Sequence, residues 1–440
     1  MRRTLRQLLR WDPREHQILL FSLLKWTLLG SLVGVMTGSA SALFLWSLDY
    51  VTRRREANPW LLFLLPVGGI AVGWLYHRFG ALAGRGNNLI LDQLHGAGER
   101  VPLRMAPMVL VGTLVTHLLG GSAGREGTAV QMGGSLADTF AQWIRLKPDD
   151  RRLLLMSGMA GGFASVFGTP LAGTIFGVEV IRTGNIRYDG LVPCLVAALV
   201  GNQVTEAWGV HHAHYALGAV PEFSVALLLK VALAGLAFGL AALLFAELVH
   251  LMKGLFGALI PSQVLRPAVG GLIVVALVYL VGTRTYIGLG VPMIRAAFEG
   301  PVPSAAFLWK SLFTAITLGA GFQGGEVTPL FFVGATLGNL LGRLLALPTP
   351  FMAGLGFVAV FAGAANTPLA CMVMGVELFG HEALPYLGLA CIFAYVFSGH
   401  RGIYSSQRVG VAKSKSLPVP ESATLAAIHR DRKSILPDWE

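Results

Sequence analysis

Charged residues are scarce in this sequence of 440 residues. Asp, Glu, Lys and Arg make up 13% of the chain, about half of their usual share in a soluble protein, while 54% of the residues are hydrophobic. Several apolar runs exceed the roughly 20 residues that cross a bilayer. The scarcity of charge excludes an ordinary soluble protein and predicts an all-α polytopic membrane protein. The apolar runs cover residues 18–48, 60–77, 105–120, 188–208, 223–252, 268–282 and 385–398.

Cysteine is also rare, and its spacing excludes the common cysteine chemistry. Cys194, Cys371 and Cys391 all lie in apolar segments and no CxxC pair occurs, so we interpret them as small buried side chains. Histidines are dense only in the HHAH stretch at 211–214. No further ligand cluster accompanies that stretch, which favours a solvated loop over a metal site. We expect neither a metal nor another cofactor.

Basic residues outnumber acidic residues, and both their number and their positions along the chain are informative. The formal net charge of +11 suits an anionic membrane surface or an anionic substrate. The charge is scattered between apolar segments without a nucleic-acid-binding motif, so nucleic acid is not an expected partner. Basic residues are dense before residue 18 and after residue 398, and the positive-inside rule therefore places both termini in the cytoplasm. Arg53–Arg55 argue against this orientation, because a single crossing would put them outside.

The chain repeats itself. TPLAGTIFGVE at 169–179 and TPLACMVMGVE at 367–377 are identical at seven of eleven positions, and glycine-rich turns upstream of them match at almost the same offset. We therefore expect two homologous halves, about 18–210 and 220–398, with a connector around 209–222. Two-half membrane proteins often bind their substrate near the bilayer midplane, where discontinuous helices point their N-termini at an anion.

Acidic residues stand inside both glycine-rich turns. The first turn contains Arg125 and Glu126, and the second contains Glu326. Each turn precedes an apolar helical stretch, whose N-terminus carries unpaired N–H groups and about half a positive charge. A carboxyl group inside a membrane is costly, so a functional role is the default, and an ion pair with Arg125 is the structural alternative. We infer that Glu126 occupies an anion site when charged and leaves it when protonated.

Four ordered elements resemble the CLC family of chloride channels and anion/proton antiporters, over about residues 18–405. GREGT at 124–128 is similar to the family's GREGP, and GEVTP at 325–329 is similar to its GxFxP element. The repeated TPLA…GVE segments resemble its APLAG…E helices, and Tyr404 resembles the tyrosine that caps the anion site. The resemblance implies a homodimer with one pore per subunit, two inverted-repeat halves of many tilted and broken helices, and Glu126 as the gating and proton-carrying glutamate.

Departures from the chloride members indicate a particular branch. GRGNN at 84–88 replaces their GSGIP, so Arg85 stands at the anion-binding serine and its effect on coordination stays open. The gate motif ends in Thr128 instead of proline. Val180 stands where chloride antiporters place an internal proton-transfer glutamate, and the role of Glu179 also stays open. The set looks like the fluoride/proton branch. Fluoride is strongly hydrated, so Asn amides and Thr hydroxyls are suitable replacement donors.

The predicted function is anion/proton antiport that exports fluoride in exchange for protons. A chloride/proton exchanger or a passive chloride channel of the same fold is the alternative. A membrane-embedded enzyme is a remote one, because GxSxG at 120–124 lies in a glycine-rich stretch without a placed base. Glu126 is the predicted gate, and Glu326 is a proton-accepting or orienting partner. The predicted anion-binding residues are Arg85, Asn87, Asn88, Gly124, Arg125, Gly127, Thr128, Gly325, Val327, Thr328 and Tyr404.

These expectations divide the chain into three parts. Residues 1–17 form a cytoplasmic N-terminal segment, residues 18–405 a CLC-type membrane transport domain, and residues 406–440 a short cytoplasmic tail that is too short and polar for a regulatory domain. We expect a homodimer, not an enzyme, in the lipid bilayer of the inner (plasma) membrane. The expected partners are fluoride or chloride ions and protons.

Overall fold

Helices form nearly all of the regular structure in the computed structural model. Among the residues that it describes, five helices are long and apolar enough to cross a membrane, and six apolar helices are shorter. Long spans mixed with short ones are the pattern expected of tilted and broken membrane helices. The predicted all-α polytopic class is confirmed. The described residues are 13–80, 82–96, 100–213 and 215–430.

Some sequence-based expectations lie outside the described residues. The basic stretch before residue 13, His214 and the last ten residues of the predicted tail are among them. The two strands of the described chain are only two residues long, and they pair in parallel: β1 (Arg182–Thr183) and β2 (Arg408–Val409).

The first half begins with one long helix, α1 (Pro13–Ala57). Arg53–Arg55, which do not fit the predicted cytoplasmic placement of both termini, lie near its C-terminal end. Arg53 pairs with Asp49 at 2.7 Å, while Arg55 turns inward and donates to the His117 carbonyl at 3.3 Å. Cations in the last turn of a helix are also favoured by its dipole. The other helices of this half are α2 (Leu65–Phe79), α3 (Asn87–Leu94), α4 (Met105–Leu118), α5 (Glu126–Trp143), α6 (Pro148–Phe167), α7 (Pro170–Glu179) and α8 (Leu191–Ala207).

The second half repeats this order, again starting with a long helix. The repeated TPLA segments begin α7 and its counterpart α15, each with proline in the first turn, where the missing N–H has no helical partner to lose. The helices are α9 (Val225–Leu259), α10 (Leu265–Val281), α11 (Val291–Glu299), α12 (Ala306–Gly319), α13 (Val327–Leu344), α14 (Thr349–Ala365), α15 (Pro368–Phe379) and α16 (Leu384–Phe397).

The halves meet where their glycine-rich turns cross. The Gly124 N–H donates to the Gly325 carbonyl at 2.6 Å, and the Gly325 N–H donates back at 2.8 Å, which makes an antiparallel bridge. A Cβ on Gly325 would lie 2.7 Å from the Gly127 nitrogen, so this approach requires glycine. Repeated segments that run antiparallel to each other are what an inverted repeat produces, and the predicted architecture of two inverted halves is confirmed.

Glycine pairs set the packing of the helices that follow the two turns. In the first half, a Cβ on either Gly133 of α5 or Gly158 of α6 would overlap the carbonyl of the other. In the second half, Gly334 of α13 and Gly356 of α14 stand in the same relation. Small residues allow membrane helices to pack backbone against backbone. The helix that follows each glycine-rich turn is therefore packed against the next helix in the same way in both halves.

The acidic residues of the TPLA…GVE repeat cap each other's helices. Glu179, at the end of α7, accepts two N–H bonds of 2.8 and 3.1 Å from the first turn of α15. Glu377, near the end of α15, accepts two bonds of 2.8 Å from the first turn of α7. Helix N-termini have N–H groups without internal partners. Glu179, whose role the sequence left open, therefore caps the N-terminus of α15.

The described part of the predicted tail, residues 406–430, packs on the membrane domain. It contributes β2 and a short helix, α17 (Leu425–Arg430). Lys413 donates from Nζ to the Asn366 side chain at 2.6 Å and to the Ser398 hydroxyl at 3.0 Å, and its N–H donates to His400 Nε2. Burial, with a smaller effect of the Lys413 charge, lowers the pKa of His400 to about 4, so this nitrogen is an acceptor at neutral pH.

Candidate functional site

Glu126 is the first residue of α5, and its side chain is fully buried. One carboxylate oxygen accepts the N–H groups of Arg125 at 3.1 Å and Thr328 at 3.0 Å. The other accepts the Thr328 hydroxyl, and Arg125 Nε lies 3.6 Å away from it. The ion pair with Arg125 therefore exists, but it accompanies a second attachment to the opposite half.

That second attachment is the N-terminus of α13. Glu326 precedes this helix, Val327 begins it, and Thr328 is its second residue, so the Thr328 N–H has no partner within the helix. Helix N-termini favour anions through such free N–H groups and the helix dipole. The Glu126 carboxylate occupies the position in which this N-terminus would hold an anion.

The equivalent threonine of the first half is engaged elsewhere. Thr128 and Thr113 are fully buried, and their hydroxyl oxygens lie 2.7 Å apart in a hydrogen bond between α5 and α4. Thr128 is therefore next to Glu126 in the chain, but its hydroxyl does not reach that carboxylate. The structure brings together Glu126, Arg125 and Thr328, and leaves Thr128 in a supporting position.

A large cavity opens on one side of the crossed turns, with a volume of about 450 Å³. Asn87 and Asn88 at the start of α3 line it, together with Glu326 and the buried Tyr404. The Asn87 Oδ1 is buried without a partner among the described residues, whereas the Asn88 Oδ1 accepts the backbone N–H of Ser406 at 2.9 Å. Asn87 is thus the asparagine of the pair with a buried oxygen that no described residue satisfies.

Arg85 lies at the rim of the same cavity. It forms an ion pair with Asp92 on α3, and 47% of its side chain remains exposed. Its charge is therefore partly neutralised within the same short segment. The structure places Arg85 along the approach to the crossed turns and does not bring it to the Glu126 carboxylate.

Asn87 and Glu326 converge on Gly127. The point at which a Gly127 Cβ would lie is 3.4 Å from Asn87 Nδ2 and 3.8 Å from Glu326 Oε2. The side chain of Glu326 accepts no hydrogen bond from another residue of the described chain, and Lys253 lines the same cavity. A second carboxyl group therefore stands between the large cavity and the turn that carries Glu126.

A small cleft of about 30 Å³ lies on the side of Glu126 and Thr328. Phe331 and Phe357 line it and stack with ring centroids 4.0 Å apart. Tyr215, from the connector between the halves, lines it as well. No sequence pattern identifies these aromatic residues as part of the site, because an aromatic side chain in an apolar run has the same pattern there as in the core.

A buried lysine is connected to the first glycine-rich turn through hydrogen bonds. Lys310 on α12 is fully buried, and its Nζ donates to the carbonyls of Tyr286 at 3.1 Å and Gly288 at 2.7 Å. The Gly288 N–H in turn donates to the Gly121 carbonyl at 3.0 Å. Lys310 is not among the predicted site residues, although a single lysine within the apolar stretch 306–319 is a signal of a special environment.

Ser122, the centre of the GxSxG match, has no catalytic surroundings. Its Oγ lies 2.9 Å from the Thr314 hydroxyl, and its N–H donates to Thr317. No histidine or carboxylate contacts this hydroxyl among the described residues, whereas a nucleophilic serine needs a base within hydrogen-bonding reach. The same part of the chain also contains no group of three His, Cys, Asp or Glu side chains placed to hold a metal ion.

Comparisons with known proteins agree with the fold. Over 428 residues the chain is 52% identical to the chloride/fluoride channel protein of Pseudomonas syringae pv. tomato, covering 96% of this chain and 94% of that protein. An H⁺/Cl⁻ exchange transporter of Vibrio vulnificus is 29% identical over 419 residues, 86% of this chain and 88% of that protein. The crystal structure of a CLC-type fluoride/proton antiporter superposes with a TM-score of 0.86 at 36% identity, covering 88% of this chain and 99% of that one.

The same sequence region carries the family signal. Residues 68–399 match the family model for the voltage gated chloride channel. They include both crossed turns, the cavity asparagines and the reciprocally capped helices. The matched region is most of the chain, and the chain therefore belongs to the voltage gated chloride channel family, the CLC family.

Proposed function

We propose that the protein is a fluoride/proton antiporter that exports fluoride from the cytoplasm across the inner membrane. One observation carries the proposal: the Glu126 carboxylate accepts both the N–H and the hydroxyl of Thr328 from the opposite half. A negatively charged side chain thus occupies donors that suit a small anion. The relatives' names, a chloride/fluoride channel protein and a fluoride/proton antiporter, support the same assignment.

Exchange follows from competition for these donors. A charged Glu126 carboxylate holds the α13 N-terminus, and an anion can bind there only when the carboxylate leaves. Protonation removes the negative charge and weakens the hydrogen bonds from Thr328, because charge-assisted bonds are about twice as strong as neutral ones. The side chain that leaves carries a proton, and the anion that replaces it takes the same N–H and O–H groups. Proton and anion therefore alternate at one place.

Glu326 and Asn87 are suited to the other end of the pathway. Both line the large cavity, which we place on the cytoplasmic side with both chain termini. Asn87 offers an amide N–H₂ to an arriving anion, and Glu326 offers a carboxyl group to a proton that comes from Glu126. With Val180 at the position of the internal glutamate of chloride antiporters, Glu326 is the acidic residue that remains near Glu126 along this path.

Fluoride is preferred over chloride for a physical reason. A small anion is more strongly hydrated, so a site that accepts it must supply strong donors in place of water. The Thr328 hydroxyl and the Asn87 amide are such donors, and the corresponding positions of chloride members are mostly apolar.

The active form is proposed to be a homodimer with one transport pathway in each subunit. The proposed protein moves ions and catalyses no chemical reaction.

Efflux from liposomes tests this function. Purified full-length protein is reconstituted, the vesicles are loaded with potassium fluoride or potassium chloride, and anion release and pH are recorded together. We expect fluoride efflux coupled to proton movement in the opposite direction, with much slower chloride efflux. Coupled chloride efflux at the higher rate would make the protein a chloride/proton exchanger, and anion efflux without proton movement would make it a channel.

A further inference from the structure

Gln131 is a buried polar residue that neither the family motifs nor the site described above uses. It lies on α5, five residues after Glu126, and only 6% of it is exposed. Its Oε1 is buried without a hydrogen-bond partner, and its Nε2 donates to no residue of the described chain. An unpaired amide oxygen in such a place costs about 1–3 kcal/mol, so a ligand that satisfies it would offset this cost.

The Gln131 side chain lines the large cavity beside the turn at Gly86. Gly86 has φ of +57°, a conformation that favours glycine, and it immediately precedes Asn87, the first residue of α3. A Cβ at Gly86 would lie 3.4 Å from Gln131 Nε2 and 3.7 Å from Oε1. The Gln131 amide therefore lies against the turn that presents Asn87, and it lines the same cavity.

Three polar side chains without hydrogen-bond partners in the described part of the chain thus share one cavity. Gln131 and Asn87 each have a buried amide oxygen without a donor, and the Glu326 carboxyl accepts no bond from another described residue. Each of the two amides also carries an N–H₂ group that is free to donate to a ligand. Polar groups that are well buried and unpaired are normally satisfied by a ligand or by ordered water.

We propose that Gln131 is an anion-binding residue of this cavity, which donates Nε2–H to the transported anion beside Asn87 before the anion reaches Thr328. The proposal rests on the proposed transport function and adds a binding residue to it. Two amide donors on different helices would hold a fluoride ion between α3 and α5, and Gln131 lies about 1.4 helical turns after Glu126 along α5. The amide oxygens remain available for water that accompanies the anion.

Steady-state fluoride transport by substituted proteins tests this role. Gln131→Leu keeps most of the volume and removes the donor, so the KM for fluoride should rise about tenfold, as expected for one lost bond to an anion. The maximal rate and the proton-to-fluoride ratio should stay within about twofold of wild type. Gln263→Leu is the matched control, because Gln263 lines the same cavity but is exposed; its KM should not change.

A second substitution keeps the test decisive if the leucine variant folds poorly. Gln131→Glu preserves the shape and brings a negative charge, so it should raise the KM for fluoride further than leucine does. An unchanged KM in both folded variants, or a lower maximal rate with an unchanged KM, would overturn the proposal and make Gln131 a packing residue. If the wild type carries chloride and not fluoride, the proposed function fails, and Gln131 is then judged by the KM for chloride in the same variants.

Discussion

The two crossed turns have the same architecture and different electrostatics. Each has glycines, an acidic residue and the N-terminus of a long helix, and each contributes one strand of the Gly124–Gly325 bridge. Glu126 in the first turn is fully buried and accepts three hydrogen bonds. Glu326 in the second turn faces the large cavity and accepts no bond from another described residue.

The difference comes from the threonines that follow the two acids. The Thr328 hydroxyl crosses to the first half and donates to Glu126, whereas the Thr128 hydroxyl pairs with Thr113 inside its own half. A repeat that was perfectly symmetric would give each acid the same partners. The broken symmetry leaves one carboxyl group bound to the helix N-terminus of the opposite half and the other accessible from the cavity, and the proposed exchange uses this arrangement.

The largest effect is expected from Glu126→Gln. An amide carries no transferable proton, so proton coupling should be abolished, and anion flux should stop or become passive. The measurement is simultaneous fluoride and proton flux in liposomes. Glu222→Gln, at an exposed glutamate in the connector, is the control and should behave as wild type. Coupled flux at the wild-type ratio in the Glu126 variant would remove this residue from the mechanism.

Glu326→Gln should have the next largest effect. Without a carboxyl group beside Gly127, protons from Glu126 lose their nearby acceptor, and turnover should fall about 100-fold, in the usual range for loss of a positioned acid or base. Flux assays and size-exclusion chromatography of the same preparation separate transport from folding. Wild-type turnover would contradict the role of Glu326, and loss of the proposed dimer would make the residue structural.

Substitution of Thr328 and of Thr128 tests whether the two halves contribute differently to anion selectivity. Thr328→Ala removes a donor from the anion position, so the ratio of fluoride to chloride flux should fall about tenfold. Thr128→Ala breaks only the bond to Thr113 and should change that ratio much less. Both anions are measured in the same vesicles for each variant. Equal changes for both threonines would mean that the asymmetry of their hydroxyl groups has no functional consequence.

The smallest effects should come from the reciprocal caps, where the halves are alike. Glu179→Ala and Glu377→Ala each remove two bonds to the first turn of the opposite helix, which should cost about 1 kcal/mol each. Thermal unfolding in detergent, followed by tryptophan fluorescence, measures the loss. A large loss of proton coupling in Glu179→Ala with unchanged stability would show a transport role instead of a capping role.

Composition and repetition were sufficient for the fold class. Scarce charge and long apolar runs predicted the membrane helices, and the TPLA…GVE match predicted two halves, because a bilayer penalises polar backbone and charge wherever they occur along the chain. The turns containing Glu126 and Glu326 were also recognisable, since charge in an apolar context is visible without coordinates. The family assignment followed from these motifs and was confirmed.

Contacts between distant residues were decided only by the tertiary structure. Thr128 and Thr328 have the same place in their turns, and no local pattern distinguishes the one that reaches Glu126 from the one that bonds Thr113. Tyr215 comes from a connector, and Gln131 follows the gate motif as an ordinary helical residue. Their positions depend on how the two halves are packed, which is set by glycine contacts and helix crossings summed over the whole domain and not by any single segment.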